Sequence, residues 1–121
     1  MTRALGQHLI ADVAGAHGLD DAEMIAETLR LAALAAHLTL LSIHVHPFGE
    51  GQGVTGVALL AESHISIHTW PEHALHALDV FACGPNADPK AALAEVLARH
   101  GGTVIREHAV ARLIDGPEPP R

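Results

Sequence analysis

An α+β fold, a two-layer sandwich of a mostly antiparallel sheet with two helices on one face, is what this sequence of 121 residues predicts. Three observations carry the expectation. Segments with strand and helix character follow one another as β-α-β-β-β-β-α-β. The four central strand segments are joined by connections too short for crossovers, which favours antiparallel pairing. Only two segments carry helix start signals, too few to cover both faces of a sheet of this size.

Taken in order, His8 to Val13 reads as a strand. Asp20 stands three residues before Glu23, a capping-box spacing that makes Asp20 the expected N-cap. Ile25, Leu29, Ala32 and Ala36 then recur at helical spacing, so Asp21 to His37 is a helix. Leu40 to His46 is a strand. The loop from Pro47 to Gly53 holds three glycines and a proline and must turn. Val54 to Leu60, His64 to Thr69 and His76 to Phe81 are three further strands. Asp88 caps a second helix with Pro89 at its first position, and Gly101-Gly102 stops it after about His100. Thr103 to His108 is the last strand, extended by Val110 to Ile114. The sequence thus reads as one domain over residues 1–114, with a polar, proline-rich tail from Asp115 to Arg121 expected to be disordered.

A single small domain buries a modest core, so oligomerisation is expected. The formal net charge of -7 argues against nucleic-acid or anionic-membrane partners. No apolar run is long enough to span a bilayer, and the lone cysteine, Cys83, has no partner for an internal disulfide. A cytoplasmic protein is expected. Phe48, Trp70 and Phe81 are the only aromatics besides eleven histidines. Phe81, in mid-strand, is expected in the core. His8, His17, His37, His73, His76, His100 and His108 are expected at surfaces or interfaces, with His37 and His100 near helix C-termini where a protonated ring interacts favourably with the dipole.

The densest chemistry lies in Glu62-Ser63-His64, His68-Thr69-Trp70-Pro71-Glu72 and Phe81-Ala82-Cys83-Gly84. A serine hydroxyl can attack the preceding carbonyl, an imidazole is the side chain best suited to accept a proton near neutrality, and a thiol can return one. Strict alternation puts His64, Ser66 and His68 on one face and Ser63 on the other. Either the strand starts after Ser63 with a twist or bulge, or His68 reaches the site around the strand end. Cys83 shares a face with Asp79 and Phe81.

These strings resemble the prokaryotic S-adenosylmethionine decarboxylase proenzymes, over most of the chain and most densely from Gly53 to Gly84. The resemblance implies cleavage between Glu62 and Ser63 into a β chain, 1–62, and an α chain, 63–121, headed by a pyruvoyl cofactor made from Ser63. That cofactor forms a Schiff base with the substrate amine and withdraws electrons as carbon dioxide leaves. His68 would act in processing and Cys83 would donate the proton to the substrate Cα. Phe48 and Trp70 are the aromatics placed to stack on an adenine and attract a sulfonium, and Ser66 and Glu72 are candidate hydrogen-bonding groups. The implied product is decarboxylated S-adenosylmethionine for spermidine synthesis, no metal is needed, and αβ units would pair as dimers.

The chain departs from the family at His73-Ala74-Leu75, where Tyr-Gly-Tyr is usual, and at Lys90, where tryptophan often follows Asp-Pro. Relatives have become pyruvoyl-dependent ornithine or arginine decarboxylases, and these are the alternative substrates. A reading from another class is a cupin-like metal site: His44 and His46 would face one side of a strand, with Glu50 beyond.

Overall fold

Apolar alternation along six strands, with helical spacing in two segments between them, builds one antiparallel sheet with a helical layer on one side. The structure is a computed structural model and describes residues 4–114; the tail from 115 to 121 lies outside the described residues. The elements are β1 (Ala4–Ala14), α1 (Ala22–Ala35), β2 (Leu40–Pro47), β3 (Val54–Leu60), β4 (Ser63–Trp70), a 3-10 turn (Pro71–His73), β5 (Leu75–Cys83), α2 (Pro89–His100) and β6 (Thr103–Ile114). Strands lie in the order β2-β3-β4-β5-β1-β6, and every neighbouring pair is antiparallel. The expected two-layer α+β sandwich is thus observed.

One parity of each strand faces the helices. Leu9, Ala11 and Val13 of β1, Val54, Ala58 and Leu60 of β3, Ile65 and Ile67 of β4, and Leu78, Val80 and Ala82 of β5 are buried against Ile25, Leu29 and Ala32 of α1 and Ala92, Leu93 and Val96 of α2. Burying a Val, Leu or Ile side chain contributes about 1.5–3 kcal/mol, so this single layer carries most of the fold's stability. Gly56 lets α1 approach β3, since a Cβ there would meet Leu29 at 3.0 Å and Ile25 at 3.2 Å.

Helix α2 starts and stops where the sequence says. Asp88 Oδ1 accepts from the Ala91 amide at 3.2 Å, Pro89 opens the helix, and Gly101 closes it at φ 69°. Helix α1 differs from expectation at its start. Its N-cap is Asp21, whose Oδ1 accepts from the Met24 amide at 3.0 Å, while Asp20 is exposed one residue outside. The capping-box spacing favours Asp20, but it is Asp21 whose extended backbone brings its carboxylate to the orphan amide. The two pieces of the last strand are one continuous strand, with its irregularity opposite Asp12 and Val13.

Three expectations about side chains are corrected. Phe81 is not in the core. It lies half-buried on the face away from the helices, between His8, His64 and the guanidinium of Arg112. His76 and His100 are not surface residues but fully buried on the helix-covered side. His100 is held by Thr28 Oγ1 and the His17 carbonyl, each at 2.8 Å, and burial pushes its pKa down, against the protonated form that the helix dipole would favour. His76 has no hydrogen-bond partner at either ring nitrogen among the described residues, and burial pushes its pKa down to about 4.

Candidate functional site

The hairpin between β3 and β4 is unusual where it matters. Leu60 pairs with Ser63 across a two-residue turn, Ala61-Glu62. Such turns favour positive φ at their central residues, which matches the strand twist. Here neither Ala61 nor Glu62 has positive φ; Ser63 does, at 140°. That region is one L side chains rarely occupy, at a cost of about 1–3 kcal/mol. The backbone strain of this hairpin therefore sits on Ser63 itself.

The carbonyl oxygen of Glu62 accepts the Cys83 amide at 3.0 Å. A donor on that oxygen polarises the carbonyl and would stabilise negative charge developing there. The Glu62 carboxylate is held elsewhere: Oε1 accepts from the Thr39 amide at 2.8 Å and Oε2 from Thr39 Oγ1 at 3.0 Å. The Thr39 amide lowers the carboxyl pKa, keeping the group ionised. Ser63 Oγ lies 3.3 Å from His64 Nδ1, the closest imidazole to it by hydrogen bonding. Cys83 ends β5 opposite Gly6 of β1, and its row on the open side of the sheet includes Phe81 and Asp79. Gly6 is required there, because a Cβ would meet the Phe81 ring at 2.6 Å. A cleft of about 640 Å³ opens beside Cys83, between the ends of β1 and β6 and the start of α2.

A second group of residues gathers at the other end of β4. Phe48, His68, Trp70 and Glu72 line a groove of about 340 Å³ beside Gly53. The loop closes on itself through Phe48 N–H to the Gly53 carbonyl at 2.9 Å. Gly53 admits no side chain, since a Cβ would fall on the Thr69 carbonyl oxygen. Phe48 and Trp70 are 58% and 46% exposed, so neither packs in the core and both flat rings are free to cover a ligand. Glu72 is exposed in the 3-10 turn. Thr55 Oγ1 lies 3.3 Å from His68 Nδ1 and can fix that ring's orientation.

The structure therefore brings the predicted residues together as two sets, not one. Glu62, Ser63 and Cys83 form the first, and Phe48, His68, Trp70 and Glu72 the second. Ser66 lies between them on the open side, paired with Val57 and Asp79. Strand β4 is regular from Ser63 to Trp70, with no bulge to re-aim His68. Ser63 and His68 are separated by five residues of strand, roughly 16 Å at about 3.3 Å per residue. Within one chain His68 does not reach Ser63 around the strand end.

Sequence reasoning missed three contributors. Thr39 and Thr55 carry no local signal, as each contact crosses between elements. His8, expected only at a surface or interface, has specific partners: its Nδ1 accepts from Arg112 at 3.0 Å and its Nε2 meets Asp79, a chain of polar groups running beside Phe81. His44 and His46 do share the open face, opposite Val57 and Thr55. No group of three His, Cys, Asp or Glu side chains able to hold a metal ion occurs among the described residues. A single sheet with two helices is also not a jelly roll, so the cupin-like reading loses its fold.

An antiparallel six-stranded sheet, covered by two helices on one side and bearing a strained Glu-Ser hairpin, is the fold of a known class of enzyme. A family model described as S-adenosylmethionine decarboxylase matches residues 7–113. An S-adenosylmethionine decarboxylase proenzyme of Thermomicrobium roseum is 42% identical over 91 residues, 75% of this chain and 78% of the relative. One of Methanococcus maripaludis is 45% identical over 96 residues, 78% of each. The crystal structure of the adenosylmethionine decarboxylase from Aquifex aeolicus superposes with a TM-score of 0.86 at 38% identity, covering 98% of this chain and 99% of that one. The chain belongs to the S-adenosylmethionine decarboxylase family.

Proposed function

We propose that this chain is a self-processing, pyruvoyl-dependent decarboxylase that converts S-adenosylmethionine to decarboxylated S-adenosylmethionine, the aminopropyl donor for spermidine synthesis. The observation that carries the reading is the Glu62-Ser63 peptide: a strained serine whose preceding carbonyl oxygen already accepts an amide hydrogen bond from Cys83. Ser63 Oγ attacks the Glu62 carbonyl carbon, the C–N bond breaks, and an ester replaces the amide while the residue 63 nitrogen becomes a free amine. An imidazole removes the Cα proton of residue 63, and the main-chain carboxylate of Glu62 leaves as the new C-terminus of the chain 1–62, turning residue 63 into dehydroalanine. Water then releases ammonia and leaves a pyruvoyl end on the chain 63–121. The residues present fit that group: a hydroxyl at a strained turn, an oxygen held by an N–H, and a thiol beside them. The pyruvoyl carbonyl would supply the electron sink for loss of carbon dioxide. Cys83 returns a proton to the substrate Cα, Phe48 and Trp70 cover a flat base, and Glu72 accepts from a ribose hydroxyl or substrate amine. Ser66 and Thr55 orient the groups around His68.

The working form is a dimer of αβ units with composite sites. His68, roughly 16 Å from Ser63 along its own strand, is supplied across a twofold axis. Two open sheet faces packed with the axis near Ser66 set the Ser63 end of one β4 against the His68 end of the other. The exposed apolar residues Ile10, Leu59 and Val110 on that face give the packing its driving force.

The test has two arms. Intact-mass analysis of purified protein should find two chains cut between Glu62 and Ser63, with a ketone that borohydride traps on the larger-numbered fragment; a single uncut mass after long incubation at neutral pH sinks the proposal. Carbon dioxide release from S-adenosylmethionine, ornithine and arginine, assayed side by side, then identifies the substrate. For the composite site, Ser63→Ala and His68→Ala chains are refolded together. Each alone should stay unprocessed or stall at the ester, whereas in the mixture the His68→Ala chain alone should be cut.

A further inference from the structure

We propose that Thr39 is a positioning residue for self-cleavage, holding the strained turn by gripping the two residues before the cut. The proposal rests on the self-processing reading above. Thr39 makes three hydrogen bonds to the turn: its carbonyl accepts from Ala61 N–H at 2.9 Å, and its amide and hydroxyl donate to the two Glu62 carboxylate oxygens. Among the described residues, no other grips the turn at three points. Thr39 is itself firmly based. Ala36 and Leu38, just before it, are buried, Leu38 N–H donates to the Ala33 carbonyl at 2.9 Å, and the Asp88 amide ties to the Ala36 carbonyl at 3.0 Å.

The consequence is mechanical. A two-residue turn with negative φ at both centres splays its strands, and the mismatch is absorbed at Ser63. Left free, Ala61 and Glu62 could rotate to relieve that strain. Thr39 pins both from one side while the Cys83 amide holds the Glu62 carbonyl oxygen from the other. The scissile carbonyl is thereby fixed in orientation beside the Ser63 hydroxyl. The Glu62 side chain acts as an anchor and takes no part in the bond changes, which explains why a carboxylate stands before the cut without needing to be an acid or base.

Thr39→Val removes the hydroxyl bond and keeps the shape. Its cleavage half-time, followed by intact mass, should lengthen roughly tenfold, the rate equivalent of one partly lost charge-assisted bond. Thr39→Ser should restore the wild-type rate. Because the defect precedes the acyl shift, hydroxylamine should not accelerate cleavage of Thr39→Val, whereas a defect in elimination would accumulate a hydroxylamine-sensitive ester. Melting temperatures compared in a Ser63→Ala background exclude general unfolding as the cause. Glu62→Met removes both acceptors and approaches the clamp from its other side, with an expected slowing of roughly thirtyfold. Wild-type cleavage rates in Thr39→Val and Glu62→Met, or an ester accumulating in either, overturn the clamp. A wild-type chain that never cleaves overturns the self-processing reading itself.

Discussion

The two faces of the sheet obey different rules. The covered face is closed by two helices and is almost wholly apolar, with Thr69 and His76 the buried polar exceptions on the strands. The open face carries His8, Asp79, Phe81, His64, Ser66 and His68, together with apolar residues that water still reaches. The first face is satisfied within one chain. The second pairs His8 with Asp79 and Arg112 but has its reactive groups scattered to the two ends of β4.

The sharpest way to break this division is at Ser63. Ser63→Ala should abolish cleavage altogether, because nothing remains to attack Glu62, while the covered face stays intact and the melting temperature falls by no more than a few degrees. Cleavage of that variant at the same bond, seen by intact mass, would place the chemistry elsewhere.

Cys83→Ala comes next. Its backbone amide, which holds the Glu62 oxygen, is kept, so processing should continue. Decarboxylation by the processed protein should fall by ~10²–10⁴-fold, the usual contribution of a general acid. Normal turnover at equal cleavage would reduce Cys83 to packing and leave only its amide in the mechanism.

His76 tests the covered face. Its imidazole titrates near 4 in the fold against an ordinary value of 6.5. Between those values the unfolded chain binds a proton that the folded one refuses, so stability is full above pH 6.5 and falls as pH drops toward 4, by up to about 3 kcal/mol. Burial of His100 acts in the same direction. His76→Leu should raise the melting temperature at pH 7, by removing two unpartnered ring nitrogens, and should flatten the loss between pH 6.5 and 4.5. An equally steep profile in the variant would assign the acid sensitivity to other groups.

The contrast between faces also explains what the sequence made legible. Alternation names which residues share a face, and it did so correctly for Ser66 with His68 and for Cys83 with Phe81 and Asp79. It does not say which face the helices cover, which is why Phe81 reads as core when mid-strand position is the guide. Helix α2 is fully legible, since Asp88-Pro89 and Gly101-Gly102 act within a few residues of the ends they set. Strand β1 begins earlier than its pattern suggests, at Ala4, because Gly6 hides the alternation while making room for Phe81. The serine, histidine and cysteine were legible as a string, but their separation was not. Distance along β4 and the Thr39 grip on Glu62, 23 residues away, are products of pairing rather than of local sequence.

The smallest effect separates the faces most cleanly. Asp21→Ala removes the N-cap of α1 and leaves the Met24 amide without its acceptor, at a cost of about 0.5–2 kcal/mol. Asp20→Ala, one residue earlier and exposed, should cost nearly nothing, although the sequence pattern alone favours Asp20. The loss falls on the covered face, since α1 contributes Ile25, Leu29 and Ala32 to the core. Asp21→Ala should therefore melt a few degrees lower while its folded molecules cleave at the wild-type rate. Thermal melts of the two variants, paired with cleavage half-times at a temperature well below both transitions, make the measurement. Equal losses for Asp20 and Asp21 would move the cap. A slower cut in Asp21→Ala at full folding would mean that the covered face transmits its strain through the sheet, and that the two faces are mechanically coupled rather than separate.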